Sequence, residues 1–157
     1  MTQLRSQQVV DAITTLLRNN LTDMNTQRAI DGKEWIHKDF PLLSARSPRI
    51  GVELLDEPAE SGGIGTAQII RCHVQITIVI KRKLKFDYDG DGVAEPTEDC
   101  IDYLKNAVWD LMQDNNEWFR EQLGNDFIGL YPMSANLMRT ASHVYRYITV
   151  EALYERN

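Results

Sequence analysis

The most regular pattern in this sequence is an alternation of apolar and polar residues between Ile70 and Phe86. Apolar side chains occupy even-numbered positions, and mostly polar or charged side chains lie between them. Successive side chains of a β-strand point to opposite faces of a sheet, so the pattern predicts a strand with one buried and one wetted face. The apolar positions are Ile70, Cys72, Val74, Ile76, Ile78, Ile80, Leu84 and Phe86, with Arg82 interrupting the series.

This predicted strand is long for a small domain. At about 3.3 Å per residue, Ile70–Phe86 would extend roughly 55 Å. A compact domain of this size measures only about 40 Å across. The strand therefore either bends at a bulge inside one domain or belongs to a β-hairpin arm that projects from it. A projecting arm exposes unpaired backbone groups that favour pairing with a neighbouring subunit, and we predict such an arm.

The remaining periodic segments predict helices and shorter strands. Apolar residues at helical spacing predict one helix around Val9–Leu17, with Ser6 as its N-cap, and a second around Ile101–Met112. Residues 22–48 are predicted as a long connection with room for a short strand. The fold class is therefore α+β, a mainly antiparallel sheet with a long β-hairpin arm and helices packed on one face. The other predicted elements are strands at Arg49–Leu55, Phe127–Tyr131 and His143–Tyr154, and helical turns at Glu117–Leu123.

Length and charge narrow the class of protein. A chain of 157 residues with 43% hydrophobic content suits a single domain spanning residues 1–157. Its net charge of -6 argues against general binding to nucleic acids or membrane surfaces, because both need a basic surface. The N-terminal residues lack the apolar stretch of a signal peptide, and no segment has the ~18 apolar residues that span a bilayer. The sequence therefore predicts a soluble protein made in the cytoplasm.

The two cysteines, Cys72 and Cys100, show no metal-binding spacing. Neither belongs to a C-x-x-C pair, and no histidine lies at the spacing of a zinc site. We expect both to be reduced and partly buried, and the sequence leaves a disulfide between them open.

An acidic segment fits the twelve-residue calcium loop of EF-hand proteins. Carboxylates recur at alternate positions from Asp87 to Asp91, and Gly92 stands where such a loop turns sharply. A hard cation with several oxygen ligands needs this density of carboxylates, and a bidentate glutamate favours Ca²⁺ over Mg²⁺. The predicted metal ligands are Asp87, Asp89, Asp91, the backbone carbonyl of Val93, Glu95 directly or through water, and Glu98.

The setting of this loop differs from that of a paired EF-hand. A predicted strand precedes it, the sequence has a single copy, and Pro96 lies inside it. The resemblance to EF-hands therefore covers these residues alone and indicates a structural Ca²⁺ rather than a signalling switch. The alternative is a solvated acidic turn without metal.

No motif in the sequence predicts an enzyme. The three histidines, His37, His73 and His143, share no local spacing with a nucleophile or with one another. The Gly-rich segment Ser61–Thr66 lacks the lysine of a phosphate-binding P-loop and precedes a strand instead of a helix, so we interpret it as a hairpin tip. The basic residues within Lys81–Lys85 are either a solvated strand end or a contact with another subunit or with nucleic acid.

The order of predicted elements carries a resemblance over most of the chain. The elements that carry it are the helix Val9–Leu17 ending near Asn19, the strand Pro48–Leu55 with its Gly-rich tip, the strand Ile70–Lys85, the helix Ile101–Met112 and the closing strand Tyr145–Leu153. This layout resembles the tail terminator proteins of long-tailed phages and related viruses.

The resemblance implies a virion structural protein without catalytic residues. It implies a homohexameric ring at the tail–neck junction, which caps the tail tube, joins it to neck proteins and lets DNA pass without sequence-specific binding. The calcium loop is a departure from that family. Two alternatives stay open, namely another neck, head-completion or tube subunit, and a non-viral Ca²⁺-binding adaptor module.

Overall fold

The computed structural model describes residues 4–26, 35–41, 46–61 and 68–156 of the chain. Within these ranges the chain forms helices and strands in the order α, β, β, β, β, α, α, β, β. The helices are α1 (Ser6–Asn20), α2 (Thr97–Asp114) and α3 (Asn116–Leu123), and the strands are β1 (Ile36–Lys38), β2 (Arg49–Asp56), β3 (Ala59–Ser61), β4 (Gln68–Lys81), β5 (Phe127–Arg139) and β6 (His143–Arg156).

The strands form one mainly antiparallel sheet. Its order is β1-β2-β4-β6-β5, with β3 paired to β4 beside β2. Only the β1–β2 pair is parallel among the described strand pairs. The predicted α+β class is confirmed, and β1 is the short strand that the long connection had room for.

The helices pack on the apolar face of this sheet. The even-numbered apolar residues from Ile70 to Ile80 are all buried, as the alternation predicted. They meet the apolar stripes of α1 and α2 in one core. Burial of each such aliphatic side chain contributes about 1.5–3 kcal/mol relative to leaving it exposed. The helical residues at this core include Val9, Ile13, Leu17, Ile101, Leu104, Val108 and Met112.

The long strand is shorter than predicted, and within one chain it is paired on both sides. It ends at Lys81 because the chain turns at Arg82 and Lys83, and Lys83 adopts a left-handed φ of 72°. Phe86 forms only an isolated bridge with Glu95. Along its whole length β4 pairs with β6, and β2 and β3 occupy its other side. The long hairpin of the fold is β5–β6, and β5 lies at the edge of the sheet opposite β1.

Two other predicted boundaries are wrong. The strand predicted at Phe127–Tyr131 continues through Pro132, and β5 ends only at Arg139. A proline is tolerated there because β5 is an edge strand, and the register shifts between Pro132 and Ser134. The N-cap of α1 is Arg5, and Ser6 is the first helical residue, whose hydroxyl donates to Glu57 at 2.5 Å.

Both cysteines are free and buried, as expected, and form no disulfide with each other. Burial raises the pKa of the Cys72 thiol to about 12, so this thiol stays protonated at neutral pH. Most of the predicted Gly-rich tip, residues 62–66, lies outside the described residues. No described helix is long and apolar enough to cross a membrane.

Candidate functional site

The acidic loop, Asp87–Glu98, connects the end of the β4 region to α2. Its base is closed by two backbone hydrogen bonds between Phe86 and Glu95, at 2.8 and 3.1 Å. Thr97, at the start of α2, donates its hydroxyl to the Leu84 carbonyl at 2.7 Å. Both ends of the loop are thus held, while its tip is exposed to solvent.

Backbone geometry brings the three aspartates of this loop together. Gly90 and Gly92 have φ values of 77° and 87°, a left-handed conformation that glycine adopts without strain. The Asp87 carboxylate accepts hydrogen bonds from the N–H groups of both glycines at 2.9 Å. One carboxylate oxygen each from Asp87, Asp89 and Asp91 then lies within 4.8 Å of the others. These three predicted ligands are adjacent in space as well as in sequence.

The surroundings of the loop favour the charged form of some of its carboxylates and disfavour that of others. Hydrogen bonds from backbone N–H groups, the Gly92 donor foremost, lower the pKa of Asp87. The Asp91 N–H favours the charged form of Asp89, but desolvation and the carboxylates of Asp87 and Asp91 outweigh it and raise the pKa of Asp89. Desolvation and four neighbouring aspartates raise the pKa of Glu95. This accumulation of negative charge would be relieved by a cation.

The other predicted ligands, Val93, Glu95 and Glu98, do not belong to this cluster of three aspartates. Both oxygens of Glu98 face Arg139 of β5, at 2.7 and 3.1 Å, and this guanidinium holds the pKa of Glu98 below its usual range. Val93 is 59% exposed and its backbone N–H donates to Asp91 at 2.8 Å. Glu95 is half-buried at the base of the loop. Glu98 therefore links the loop to the β5–β6 hairpin, and a bound cation would compete with Arg139 for it.

An aromatic stack attaches the loop to α2. The ring of Tyr88 lies on that of Tyr103, with centroids 4.4 Å apart and planes 20° from parallel. Tyr88 has no ligand role in the predicted calcium loop, and its structural role depends on a contact fifteen residues further along the chain. The stack fixes the start of the loop against the helix that follows it.

A second polar cluster crosses four strands on the sheet face opposite the helices. The register places Asp56, His73, Glu151 and Tyr131 in one row from β2 to β5. His73 bonds Asp56 through Nδ1 at 2.5 Å and Glu151 through Nε2 at 2.8 Å. Arg71 donates to Glu151 at 3.0 Å, and the Tyr131 hydroxyl also donates to it. Glu151 is only 3% exposed, so its charge depends on these donors.

The ionisation of this polar row is mutually supported. Desolvation would lower the pKa of His73, but hydrogen bonds to Glu151 and Asp56 and their negative charges outweigh it and raise that pKa. Desolvation likewise opposes ionisation of Glu151, yet hydrogen bonds from Tyr131 and His73 and the charge of Arg71 lower its pKa. The alternating pattern in the sequence puts His73 on the polar side of its strand but identifies none of these partners.

The polar row predicts a pH dependence of stability. Because the pKa of folded His73 is raised, its stabilising contribution is complete below the unfolded pKa of about 6.5 and is lost as the pH rises through the folded value. We expect NMR titration to give His73 a pKa above 6.5. The free energy of unfolding should fall as the pH rises above about 6.5, and it should fall less in a His73→Gln variant. Equal slopes in the native protein and the His73→Gln variant would contradict the assignment.

Exposed cations lie beside the acidic loop. Lys81, Arg82, Lys83 and Lys85 are all exposed, and none forms an ion pair with another described residue. Three of them line a shallow groove with Leu84, Pro96 and Val144. This arrangement fits both interpretations from the sequence, a solvated strand end and a contact with a subunit or nucleic acid.

Comparison with known proteins identifies the fold. No protein-family model matches the sequence, and none of the curated proteins matches it. Among solved structures, the fold is similar to a chain from the "Virion of native gene transfer agent (GTA) particle", with a TM-score of 0.54. The match covers 94% of this chain and 95% of that chain at 15% sequence identity. The likeness at this identity is one of fold, and it extends over nearly the whole length of both chains.

Proposed function

We propose that this chain is a virion structural protein that assembles with copies of itself into a ring. The observation that carries the proposal is the near-complete fold match to a chain of a gene transfer agent virion. Because the match covers 94% of this chain and 95% of that chain, the likeness extends well beyond a common substructure. Within that class, the element order favours a tail terminator, which caps the tail tube and joins it to the neck.

Charge and chemistry are consistent with a passive structural role. A net charge of -6 would repel the phosphates of DNA, so an acidic ring would let DNA pass without adhering to it. The polar row around Glu151 contains no serine, threonine or cysteine, its Tyr131 hydroxyl is hydrogen-bonded to Glu151, and the described cysteines are buried. We therefore assign the polar row to stability and not to catalysis.

Assembly state tests this proposal. We expect size-exclusion chromatography with light scattering to show a closed oligomer of six copies, and electron microscopy to show rings. A chain that stays monomeric at 100 µM and in the presence of tail-tube protein would contradict the proposal. Labelling in intact particles would separate a tail terminator from a head-completion, neck or tube subunit. An adaptor module unrelated to virions would form no ring.

We further propose that the acidic loop holds a structural Ca²⁺. The three clustered aspartates supply oxygen ligands, and Glu95 and the Val93 carbonyl lie in the same short loop. Glu98 would complete the site if one or both of its oxygens turned from Arg139 to the ion. The ion would fix the junction between the sheet and α2 and offset the repulsion among the loop carboxylates.

Calcium should raise the thermal stability of the protein. At a Ca²⁺ concentration of about one hundred times the dissociation constant, binding to the folded state adds about 2.7 kcal/mol. For a domain of this size this corresponds to an increase in Tm of roughly 5–10 °C. We expect chelator to reverse the increase, and Mg²⁺ to produce a smaller one.

Two variants show whether the effect belongs to the loop. Asp87→Ala combined with Glu98→Ala should abolish the Ca²⁺-dependent increase, whereas Asp110→Asn, a change at an exposed carboxylate of α2, should preserve it. If chelator leaves the Tm of the native protein unchanged, the loop is a solvated acidic turn.

A further inference from the structure

Among the described residues, the outer side of the edge strand β5 is covered at one end only. There, the side chain of Asn116 in α3 pairs with both backbone groups of Leu130, at 2.8 and 2.9 Å. Arg120, also in α3, donates to the Ile128 carbonyl at 3.1 Å. These contacts replace a neighbouring strand over the first part of β5.

The segment Met133–Met138, here called the open edge, has no such cover. Beyond the ladder with β6, no hydrogen bond from the described part of the chain reaches its backbone. Its apolar side chains are nevertheless displayed, with Met133 49%, Leu137 37% and Met138 43% exposed. Soluble proteins usually protect such an edge with lysine, inward-pointing charge or a covering loop. Within the open edge there is no charged residue at all.

The charge distribution favours a second copy of this chain as the partner. Copies with a net charge of -6 repel one another wherever their carboxylates meet. From Phe127 to Val150 the hairpin carries no carboxylate, although it includes Arg139 and Arg146. The open edge is therefore a surface where two acidic copies can approach with little repulsion, and its unpaired backbone can bind an uncharged strand.

We propose that the open edge of β5 pairs with a second copy of this chain and forms the contact between neighbouring subunits. This inference rests on the proposed self-assembly and identifies the surface through which the copies bind. Backbone hydrogen bonds along the open edge would supply the contact, and Met133, Leu137 and Met138 would be buried by it. Because a closed ring needs head-to-tail contacts, the receiving surface of the next copy is a different one.

The test introduces charge at the open edge. A double variant, Met133→Lys with Met138→Lys, places two ammonium groups at the open edge. Both would lose bound water if a second copy paired there. We expect light scattering and analytical ultracentrifugation to show self-association weakened on the order of 100-fold, with an unchanged Tm. The matched control, Asn106→Lys with Gln122→Lys, adds the same charge at exposed positions of α2 and α3 and should assemble as the native protein does.

The outcomes separate the two proposals. If the native protein and the edge variant assemble equally well, the open edge is not the contact, while the proposed ring stands. If the control loses assembly as fully as the edge variant, added charge rather than the edge is responsible, and the inference is overturned. A native protein that never assembles overturns both the ring and its contact.

Discussion

Replacing Glu151 by glutamine should lower the free energy of unfolding by about 2–3 kcal/mol. The substitution keeps the shape of the side chain and removes the one negative charge on which Arg71, His73 and Tyr131 converge. Removing one partner of a buried ion pair typically costs 3–5 kcal/mol, because the remaining charges stay partly desolvated. The expected loss is smaller here, since the Arg71 side chain is 36% exposed and can recover some hydration.

Urea denaturation at pH 6 and pH 8 measures this effect. At pH 6 His73 is charged in the native protein, so the loss should be larger than at pH 8. Glu155→Gln is the matched control, because Glu155 lies on the same strand but is exposed. Its substitution should change stability by no more than about 0.5 kcal/mol. Equal losses for the two variants would show that the polar row does not stabilise the sheet.

The partners within the polar row could not be predicted from the sequence. His73 and Glu151 lie 78 residues apart, and Asp56 reaches His73 from a third strand. Only the antiparallel register between β2, β4 and β6 aligns them, and no local pattern in the sequence specifies that register. One signal was available, since Glu151 is a charged residue within the closing apolar strand. It predicts a buried partner without saying which one.

The long strand β4 shows what an alternating pattern can and cannot predict. Alternation predicted the buried face of β4 correctly, because each inward position from Ile70 to Ile80 is in the core. The same period continued to Leu84 and Phe86, which pack against the core from the segment after the turn and from an isolated bridge, and not from the strand. Periodicity records which side chains are buried but not whether the backbone between them stays extended.

The acidic loop could be found from sequence because its parts are local. Asp87, Asp89 and Asp91 lie within five residues, and Gly92 supplies the turn between them and α2. The partner of Glu98 was not foreseeable in this way, because Arg139 reaches it from the far end of β5. Local carboxylate spacing thus predicts a candidate cation loop, while tertiary contacts decide which of its ligands are free to bind.

Replacing Gly51 by alanine should be among the most damaging single changes to this sheet. Gly51 lies in β2 between His37 of β1 and Thr77 of β4, and the chain that leaves β1 crosses directly over it. A Cβ atom there would lie 2.0 Å from the backbone oxygen of Asp39 and 2.6 Å from Pro41 Cδ. Real Cβ atoms essentially never approach a backbone oxygen this closely, so the crossing segment would have to move.

That segment has little freedom to move away. The Asp39 N–H donates to the Val52 carbonyl at 2.9 Å, and Asp39 already has a φ of 127°. We expect Gly51→Ala to lower the free energy of unfolding by about 3 kcal/mol, the upper part of the range for overpacked sites. In Gly129→Ala, the matched change in β5, the new methyl would meet only Asn116 Oδ1 at 3.7 Å, an ordinary contact. That control should stay within about 0.5 kcal/mol of the native protein, and equal losses would mean that the crossing does not constrain β2.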